Sequence, residues 1–171
     1  MNLYHGSYIK VDKPRTNANI RGLDFGSGFY LTSSEKQAKE FALRVVAQDR
    51  TFEILPVSTL NSYDFDITLA KSECAVQIFE TASIEWFDFV VTNRKNKNSG
   101  AENKMDIIIG PVANDQVITT IRLFEADIIE KEDAIKRLKT QRLVDQVVLK
   151  TEKALKYLTF INSYEVIRDE K

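Results

Sequence analysis

Two short segments decide the fold of this chain: LYHGS at residues 3–7 and DFGSGFYLT at residues 24–32. The first is an apolar and aromatic run that holds His5, the only histidine in the sequence, and it ends in two small residues. The second places two glycines directly before an aromatic pair. Glycine lets a backbone approach a ligand without a Cβ in the way. The pattern therefore predicts a strand ending at two small residues, and a glycine-rich loop that enters a second strand.

Length and composition indicate one globular domain spanning residues 1–171, because 43% of the side chains are hydrophobic and can fill a core. The formal charge of −1 gives no overall field that would favour nucleic acid or an anionic membrane. Cys74 is the single cysteine, so it cannot form an internal disulfide. No apolar run approaches the roughly 20 residues that span a bilayer. We therefore expect a cytoplasmic protein that does not contact membranes.

Caps and apolar periodicity predict the remaining elements. Ser34 and Gln37 form a capping box at the start of a helix that ends near Asp49. Residues 72–93 are predicted as one long central helix, because apolar side chains recur every three or four positions. The first helix is expected to bury a stripe of Ala38, Phe41, Ala42 and Val45. The other predictions are strands over residues 2–8, 29–32, 51–57, 105–109, 144–149 and 160–167, loops over 11–24 and 94–104, helices after Asn114 or Asp115 and over 131–139, and a short helix capped by Thr151.

Strands near both ends, helices between them and no regular βαβ alternation predict an α+β fold rather than a doubly wound sheet. The basic side chains of residues 94–104 are expected to be a solvated loop, with recognition of nucleic acid or an acidic target as the alternative. The glycine-rich segment at residues 24–32 also has a purely structural interpretation, as a turn into a strand, and His5 taken alone would be an ordinary surface or core histidine.

The two opening segments resemble the nicotinamide-binding half of the poly(ADP-ribose) polymerase-like, or diphtheria-toxin-like, ADP-ribosyltransferases. In that family a strand carrying His-Gly is followed by a Phe-Gly-x-Gly-aromatic-Tyr segment and a helix rich in alanine and aromatics. The matching positions here are 5–6, 25–30 and 36–42. The chain also resembles a small bacterial family regarded as distant members of that fold, and this likeness extends through residues 106–111 and 146–160. The resemblance implies a split sandwich of two small antiparallel sheets with helices packed around an NAD cleft.

The resemblance also implies roles for individual residues. His5 would hydrogen-bond a hydroxyl of the adenosine ribose, Tyr30 would stack on the nicotinamide ring, and the backbone of Gly6 would meet the carboxamide. Arg15 or Arg21 would contact the pyrophosphate through bidentate hydrogen bonds. NAD is the implied substrate, and no metal is implied. The predicted NAD-binding residues are His5, Gly6, Ser7, Arg15, Gly28, Phe29, Tyr30 and Thr32, and the predicted catalytic residues are His5, Tyr30 and Gln146.

Gln146 departs from the pattern of the family, which usually places a glutamate at the start of a late strand. There the carboxylate bonds the nicotinamide ribose and favours a transition state with oxocarbenium character. A glutamine can orient the same hydroxyl through its carbonyl, but it supplies a dipole instead of a charge. Asp145 is adjacent, and in a strand its side chain points to the opposite face. Transfer of a single ADP-ribose unit is therefore expected, rather than polymer formation.

The leading hypothesis is a bacterial mono-ADP-ribosyltransferase that cleaves the nicotinamide–ribose bond of NAD and modifies a macromolecular acceptor, either protein or nucleic acid. A role as the toxin of a toxin–antitoxin pair, with a neutralising antitoxin protein, or in phage defence follows by analogy from the small size of the chain. The first alternative is a non-catalytic module that binds NAD or ADP-ribose. The second is a protein-interaction domain with an empty cleft.

Overall fold

The computed structural model describes residues 1–16, 23–48, 56–95, 104–112, 115–139 and 144–167. Strands open and close this part of the chain, and helices lie between them. The strands are β1 (Asn2–Ser7), β2 (Phe29–Leu31), β3 (Thr59–Phe65), β4 (Val76–Ile78), β5 (Ile107–Pro111), β6 (Asp145–Leu149) and β7 (Leu158–Glu165). The helices are α1 (Glu35–Gln48), α2 (Ile67–Glu73), α3 (Ile84–Lys95), α4 (Asp115–Glu125), α5 (Lys131–Lys139) and α6 (Glu152–Leu155).

The described strands form two sheets. One is antiparallel and has the order β1-β3-β7, and the other has the order β2-β6-β5-β4. In the second sheet β4 runs parallel to β5 while the other neighbours are antiparallel, so this sheet is mixed. The predicted α+β class is confirmed. The expectation that both sheets are antiparallel is wrong, because the chain crosses over through α3 between β4 and β5.

The two sheets meet at one isolated antiparallel bridge between Tyr4 of β1 and Thr32, directly after β2. The N–H of each residue donates to the carbonyl of the other, at 2.8 and 3.0 Å. In the described residues this bridge is the single backbone pairing between β1 and β2. Towards Gly6 and Tyr30 the two strands are therefore not joined by a ladder. We call this opening, bounded by His5, Gly6 and Tyr30, the β1–β2 gap.

Each face of the second sheet covers its own apolar core. The face towards the first sheet packs Phe29, Leu31 and Val147 against Leu3 and Tyr63. The opposite face packs against α3, α4 and α5, through residues that include Trp86, Ile121 and Leu138, and Tyr30 lies on the edge of that core. Successive residues of a strand point to opposite faces, so Phe29 and Tyr30 belong to different cores.

Gly6 brings β1 against α1. A Cβ on Gly6 would lie 2.1 Å from the backbone oxygen of Ala38 and 2.8 Å from the backbone nitrogen of Ala42, so only glycine fits between the strand and the helix. The small alanines are required for the same reason. The predicted helix that starts after Ser34 is confirmed, and Ala38 and Ala42 are buried as expected.

The predicted long helix over residues 72–93 is wrong. The chain there forms the end of α2, the strand β4 and then α3, whose first turn is capped by the Ser83 hydroxyl, which accepts from the Trp86 N–H. The apolar spacing around Cys74 and Ile78 is compatible with a helix, but pairing of β4 with β5 determines the structure. None of the helices in the described ranges combines the length and the apolar surface needed to cross a bilayer.

Other predicted elements are close to the observed ones. The helix over residues 131–139 and the cap by Thr151, whose hydroxyl accepts from the Ala154 N–H, are confirmed. The last strand runs over Leu158–Glu165 instead of residues 160–167. Residues 51–55 of the predicted strand over 51–57 lie outside the described residues, and residues 56–58 precede the observed strand β3.

Candidate functional site

His5 is the side chain that crosses the β1–β2 gap. Its Nδ1 lies 2.8 Å from the backbone oxygen of Tyr30, and its ring centroid lies 4.6 Å from that of Phe29. A carbonyl can only accept a hydrogen bond, so Nδ1 carries the proton and, in the neutral ring, Nε2 is an acceptor. Burial lowers the pKa of His5 below its ordinary value of 6.5, and the bond to Tyr30 opposes this effect. His5 is therefore neutral at pH 7.

The backbone of Gly6 is directed towards the same gap. Tyr4 sends its N–H and carbonyl towards Thr32, and groups two residues apart on a strand point to the same edge. The antiparallel bridge places Gly6 opposite Tyr30, whose carbonyl is bonded to His5 instead. The His5 imidazole thus takes the place of one backbone hydrogen bond between β1 and β2. The N–H and the carbonyl of Gly6 are left facing the gap as one donor and one acceptor.

Tyr30 and Lys150 hold the glycine loop, which we define as residues 24–28. The Tyr30 hydroxyl donates to the carbonyl of Gly26 at 2.6 Å and accepts from the N–H of Phe25 at 3.1 Å. Lys150 Nζ donates to the carbonyls of Phe25 and Ser27, at 2.8 and 3.0 Å. Burial raises the pKa of Tyr30, which keeps its phenol protonated. The hydroxyl therefore supports the loop, and the ring packs at the edge of the core formed with α3, α4 and α5.

Two further contacts fix the ends of the glycine loop. Arg94 Nε lies 2.6 Å from Oδ1 of the buried Asp24, a short ion pair at the first residue of the loop. Gly28 packs against β6, because a Cβ there would lie 2.5 Å from Cγ1 of Val148 and 2.9 Å from the oxygen of Leu149. Gly26 has φ of 75°, in the left-handed region that favours glycine. The glycines thus serve packing and backbone conformation within the loop.

Gln146 and Tyr30 share one face of the second sheet. Tyr30 pairs with Val148 on β6, so Gln146 is a diagonal neighbour two residues away. The Gln146 side chain is buried, and its Nε2 lies 3.5 Å from the Pro111 oxygen, to which Trp86 Nε1 also donates. The structure therefore places Gln146 beside Tyr30 but within the core, on the other side of β2 from the imidazole of His5.

Asp145 lies on the face opposite to Gln146, as the alternation of a strand requires. The Ser33 hydroxyl donates to its carboxylate, and the Thr32 hydroxyl lies 2.9 Å from its backbone oxygen. Thr32 is also 2.9 Å from Oε1 of Gln37, so β2, β6 and the start of α1 are joined at this point. Thr32 is thus a structural junction next to the bridge.

Phe41 was missed as a site candidate, because the spacing of α1 assigned it to the buried stripe. Its side chain is 44% exposed, with the Arg44 guanidinium 5.4 Å from its ring centroid. Gln37 contacts Thr32 at the bridge, and Phe41 lies four residues later on the same flank of the helix. The exposed ring therefore lies on the flank of α1 that carries Gln37. In the sequence, the small residues Ala38 and Ala42 mark the buried face of α1 by themselves, and this could have shown that Phe41 lies outside that face.

The remaining predicted residues lie around these. Ser7 is buried at the end of β1, on the same face as His5. Arg15 is exposed and precedes Thr16, whose hydroxyl donates to Glu152, two residues after Lys150. Arg21 lies outside the described residues. Lys150 was not among the residues predicted from the sequence. Within the described ranges, no group of three or more His, Cys, Asp or Glu side chains could hold a metal ion.

One family model, described as a protein of unknown function (DUF3990), matches residues 1–160. The chain belongs to the DUF3990 family. The match extends from β1 into β7, so the gap, the glycine loop and β6 are all parts of the DUF3990 domain. No curated protein matches the sequence. What the DUF3990 domain does must therefore be argued from the geometry described above.

Proposed function

We propose that this protein binds NAD in the β1–β2 gap, releases nicotinamide and transfers ADP-ribose to a macromolecular acceptor. The observation that carries the proposal is the 2.8 Å contact between His5 Nδ1 and the Tyr30 oxygen. That contact replaces a backbone pairing and leaves the N–H and carbonyl of Gly6 facing the gap. A carboxamide offers the complementary pair, one acceptor oxygen and one donor NH2 group. The backbone of Gly6 would therefore recognise nicotinamide.

The protonation state of His5 supports the same proposal. A neutral imidazole with Nδ1 bonded to the backbone presents Nε2 as a fixed acceptor. A ribose hydroxyl is a suitable donor, and the bond orients the sugar without a charged base. The exposed ring of Phe41 and the ring of Tyr30 are the aromatic surfaces near the gap that could cover a planar base.

The chemistry proposed here requires orientation more than proton transfer. The bond between the ribose anomeric carbon and the nicotinamide nitrogen breaks, and nicotinamide leaves as a neutral molecule with the electron pair. A nucleophile of the acceptor forms the new bond to the same carbon and loses its proton to solvent. Nε2 of the buried Gln146 faces the Pro111 oxygen, so in the proposed reaction Oε1 would have to accept from a ribose hydroxyl that reaches past β2 to the face of the second sheet that carries Tyr30.

A second candidate function is a module that binds NAD or ADP-ribose without turnover. The observation that favours it is the environment of Gln146, which is buried, uncharged and bonded to a backbone carbonyl. A dipole stabilises a developing positive charge less than a carboxylate does. The ADP-ribosyltransferase sandwich is proposed for both candidates, because the binding module keeps the same cleft, whereas the toxin role and the antitoxin partner are proposed with the enzyme alone.

The test combines turnover with binding. Purified protein is incubated with labelled NAD and whole-cell extract, and free nicotinamide, labelled protein and labelled nucleic acid are measured, with calorimetry of NAD binding in parallel. The enzyme predicts nicotinamide release, and Gln146→Ala should lower turnover more than it weakens binding. Gln77→Ala on β4, in the same sheet but remote from the gap, is the matched control. Binding without release would establish the second candidate, and neither binding nor release would contradict both.

A further inference from the structure

Three consecutive carbonyls of the glycine loop each accept a hydrogen bond from a side chain. Those of Phe25 and Ser27 accept from Lys150 Nζ, and that of Gly26 accepts from the Tyr30 hydroxyl. In a trans peptide the N–H of the next residue points opposite to the carbonyl, and no cis peptide occurs in the described residues. The N–H of Ser27 therefore points away from Tyr30, and the N–H of Gly28 points away from Lys150.

These two N–H groups lack an acceptor among the described residues, whereas the N–H of Phe25 and that of Gly26 have one each, the Tyr30 hydroxyl and the Leu23 carbonyl. Gly28 is buried, and a buried N–H without an acceptor costs about as much free energy as a lost hydrogen bond. Successive N–H groups in a turn are the backbone arrangement that binds anions. The loop thus presents two donors in need of an acceptor.

Lys150 adds a positive charge behind these peptides. Its ammonium is partly buried, and the two acceptors that it contacts in the described structure are neutral carbonyls. Burial lowers the pKa of Lys150. The charge lies at the carbonyl end of the peptide dipoles, so the dipoles extend the positive potential to their N–H ends.

The N–H of Gly28 faces the β1–β2 gap. The Tyr30 carbonyl points to that gap, where it meets His5, whereas the Ser27 carbonyl, opposite to the Gly28 N–H, points to Lys150. On the other side of the segment, Phe29 pairs with Leu149 of β6, and Lys150 follows directly. The Gly28 N–H and the lysine are therefore on opposite sides of one loop, with the Gly28 N–H towards His5.

We propose that the glycine loop is an oxyanion site in which the N–H groups of Ser27 and Gly28 bind the oxygens of a diphosphate, with Lys150 as a positioning residue. The assignment of that diphosphate to NAD rests on the function proposed above. The anion site itself depends only on the loop and Lys150. A diphosphate held there lies beside His5, as a dinucleotide spanning the gap requires.

The test is a titration of the 15N-labelled full chain with inorganic pyrophosphate and, separately, with ADP-ribose, followed through the amide resonances of Ser27 and Gly28. Both amides should move downfield with each ligand, because each N–H gains a charged acceptor. Lys150→Met should weaken pyrophosphate binding about tenfold through loss of the charge. Lys150→Arg should retain most of the affinity. Lys36→Met, at a lysine exposed on α1, is the control and should leave the affinity unchanged.

The outcomes separate the two proposals. Shifts of the Ser27 and Gly28 amides with pyrophosphate, in a protein that does not bind or cleave NAD, support the anion site and overturn the NAD function. Turnover of NAD without those shifts overturns the anion site alone. Should Lys150→Met not fold, the amide shifts of the unaltered chain and the affinity of Lys150→Arg decide the matter, and absence of shifts at both amides contradicts the site.

Discussion

The two sides of the β1–β2 gap are built in different ways. On the β1 side, Gly6 is fixed by packing, since α1 approaches so closely that no Cβ fits, and its backbone groups remain directed at the gap. On the other side, the glycine loop is fixed by hydrogen bonds from Tyr30 and Lys150. Glycine therefore serves close approach at Gly6 and Gly28 and backbone conformation at Gly26, and the hydrogen bonds from side chains hold the loop. Stability should therefore depend mainly on side-chain volume at Gly6, and on the hydrogen-bonding side chains Tyr30 and Lys150 at the glycine loop.

The largest effect is expected for Gly6→Ala. The new Cβ would meet backbone atoms of Ala38 and Ala42, which cannot move without displacing α1, so we expect a loss of about 3 kcal/mol in the free energy of unfolding. Chemical denaturation measures this. The matched variant is Gly26→Ala, whose Cβ would meet the flexible ends of Asn93 and Lys150 at 3.2 Å, with a positive φ that costs about 1 kcal/mol. Equal losses for the two variants would refute the distinction between the sides.

Tyr30→Phe should have the next largest effect. It removes the hydroxyl that joins Gly26 and Phe25, and the loss should be about 1–2 kcal/mol because both loop groups are left without their partner. Hydrogen exchange should rise at the amides of the glycine loop and stay unchanged in β1. Tyr164→Phe, which removes an exposed hydroxyl that donates to Glu35 away from the loop, is the control. Unchanged exchange in the loop would mean that Lys150 alone holds it.

For His5 we expect a smaller effect on the free energy of unfolding, and one that depends on pH. Burial lowers its pKa in the folded state, so the unfolded chain binds a proton more readily. Its contribution is therefore fully present above pH 6.5 and is lost as the pH falls below 6.5, by up to about 1.4 kcal/mol per unit. Unfolding measured from pH 7.5 to 5 should show this slope, and His5→Gln should reduce it. An identical slope in the variant would show that carboxylates cause it.

Phe41→Ala should have the smallest effect on stability, under about 1 kcal/mol, because the side chain is largely exposed. NAD affinity should nevertheless fall if this flank of α1 borders the ligand. Calorimetry with NAD measures the change, and Leu69→Ala, at a similarly exposed position on α2, is the control. An affinity equal to that of the unaltered chain would remove Phe41 from the site.

Local signals predicted the parts of the structure that local interactions determine. The caps at Ser34 and Thr151 and the helix over residues 131–139 follow from contacts within a few residues. The helix predicted over residues 72–93 failed because β4 gains its structure from β5, about 30 residues away. No local pattern contains that pairing.

The candidate site shows the same limit. The sequence indicated His5, Gly6 and Tyr30 through the glycine pattern, but the bond from His5 to the Tyr30 backbone depends on how β1 and β2 meet. Lys150 follows an ordinary apolar strand, and nothing near it in the sequence marks it as the support of a loop 125 residues away. Such contacts become visible only when distant strands are placed side by side.

The most direct test of the account is NMR of the imidazole of His5 during titration with NAD, since no other histidine is present to obscure it. The account predicts that NAD shifts the His5 ring resonances, particularly at Nε2, together with the Gly6 amide, while Nδ1 stays protonated and bonded to Tyr30. A folded protein in which saturating NAD leaves both His5 and Gly6 unchanged would contradict the claim that the β1–β2 gap binds NAD.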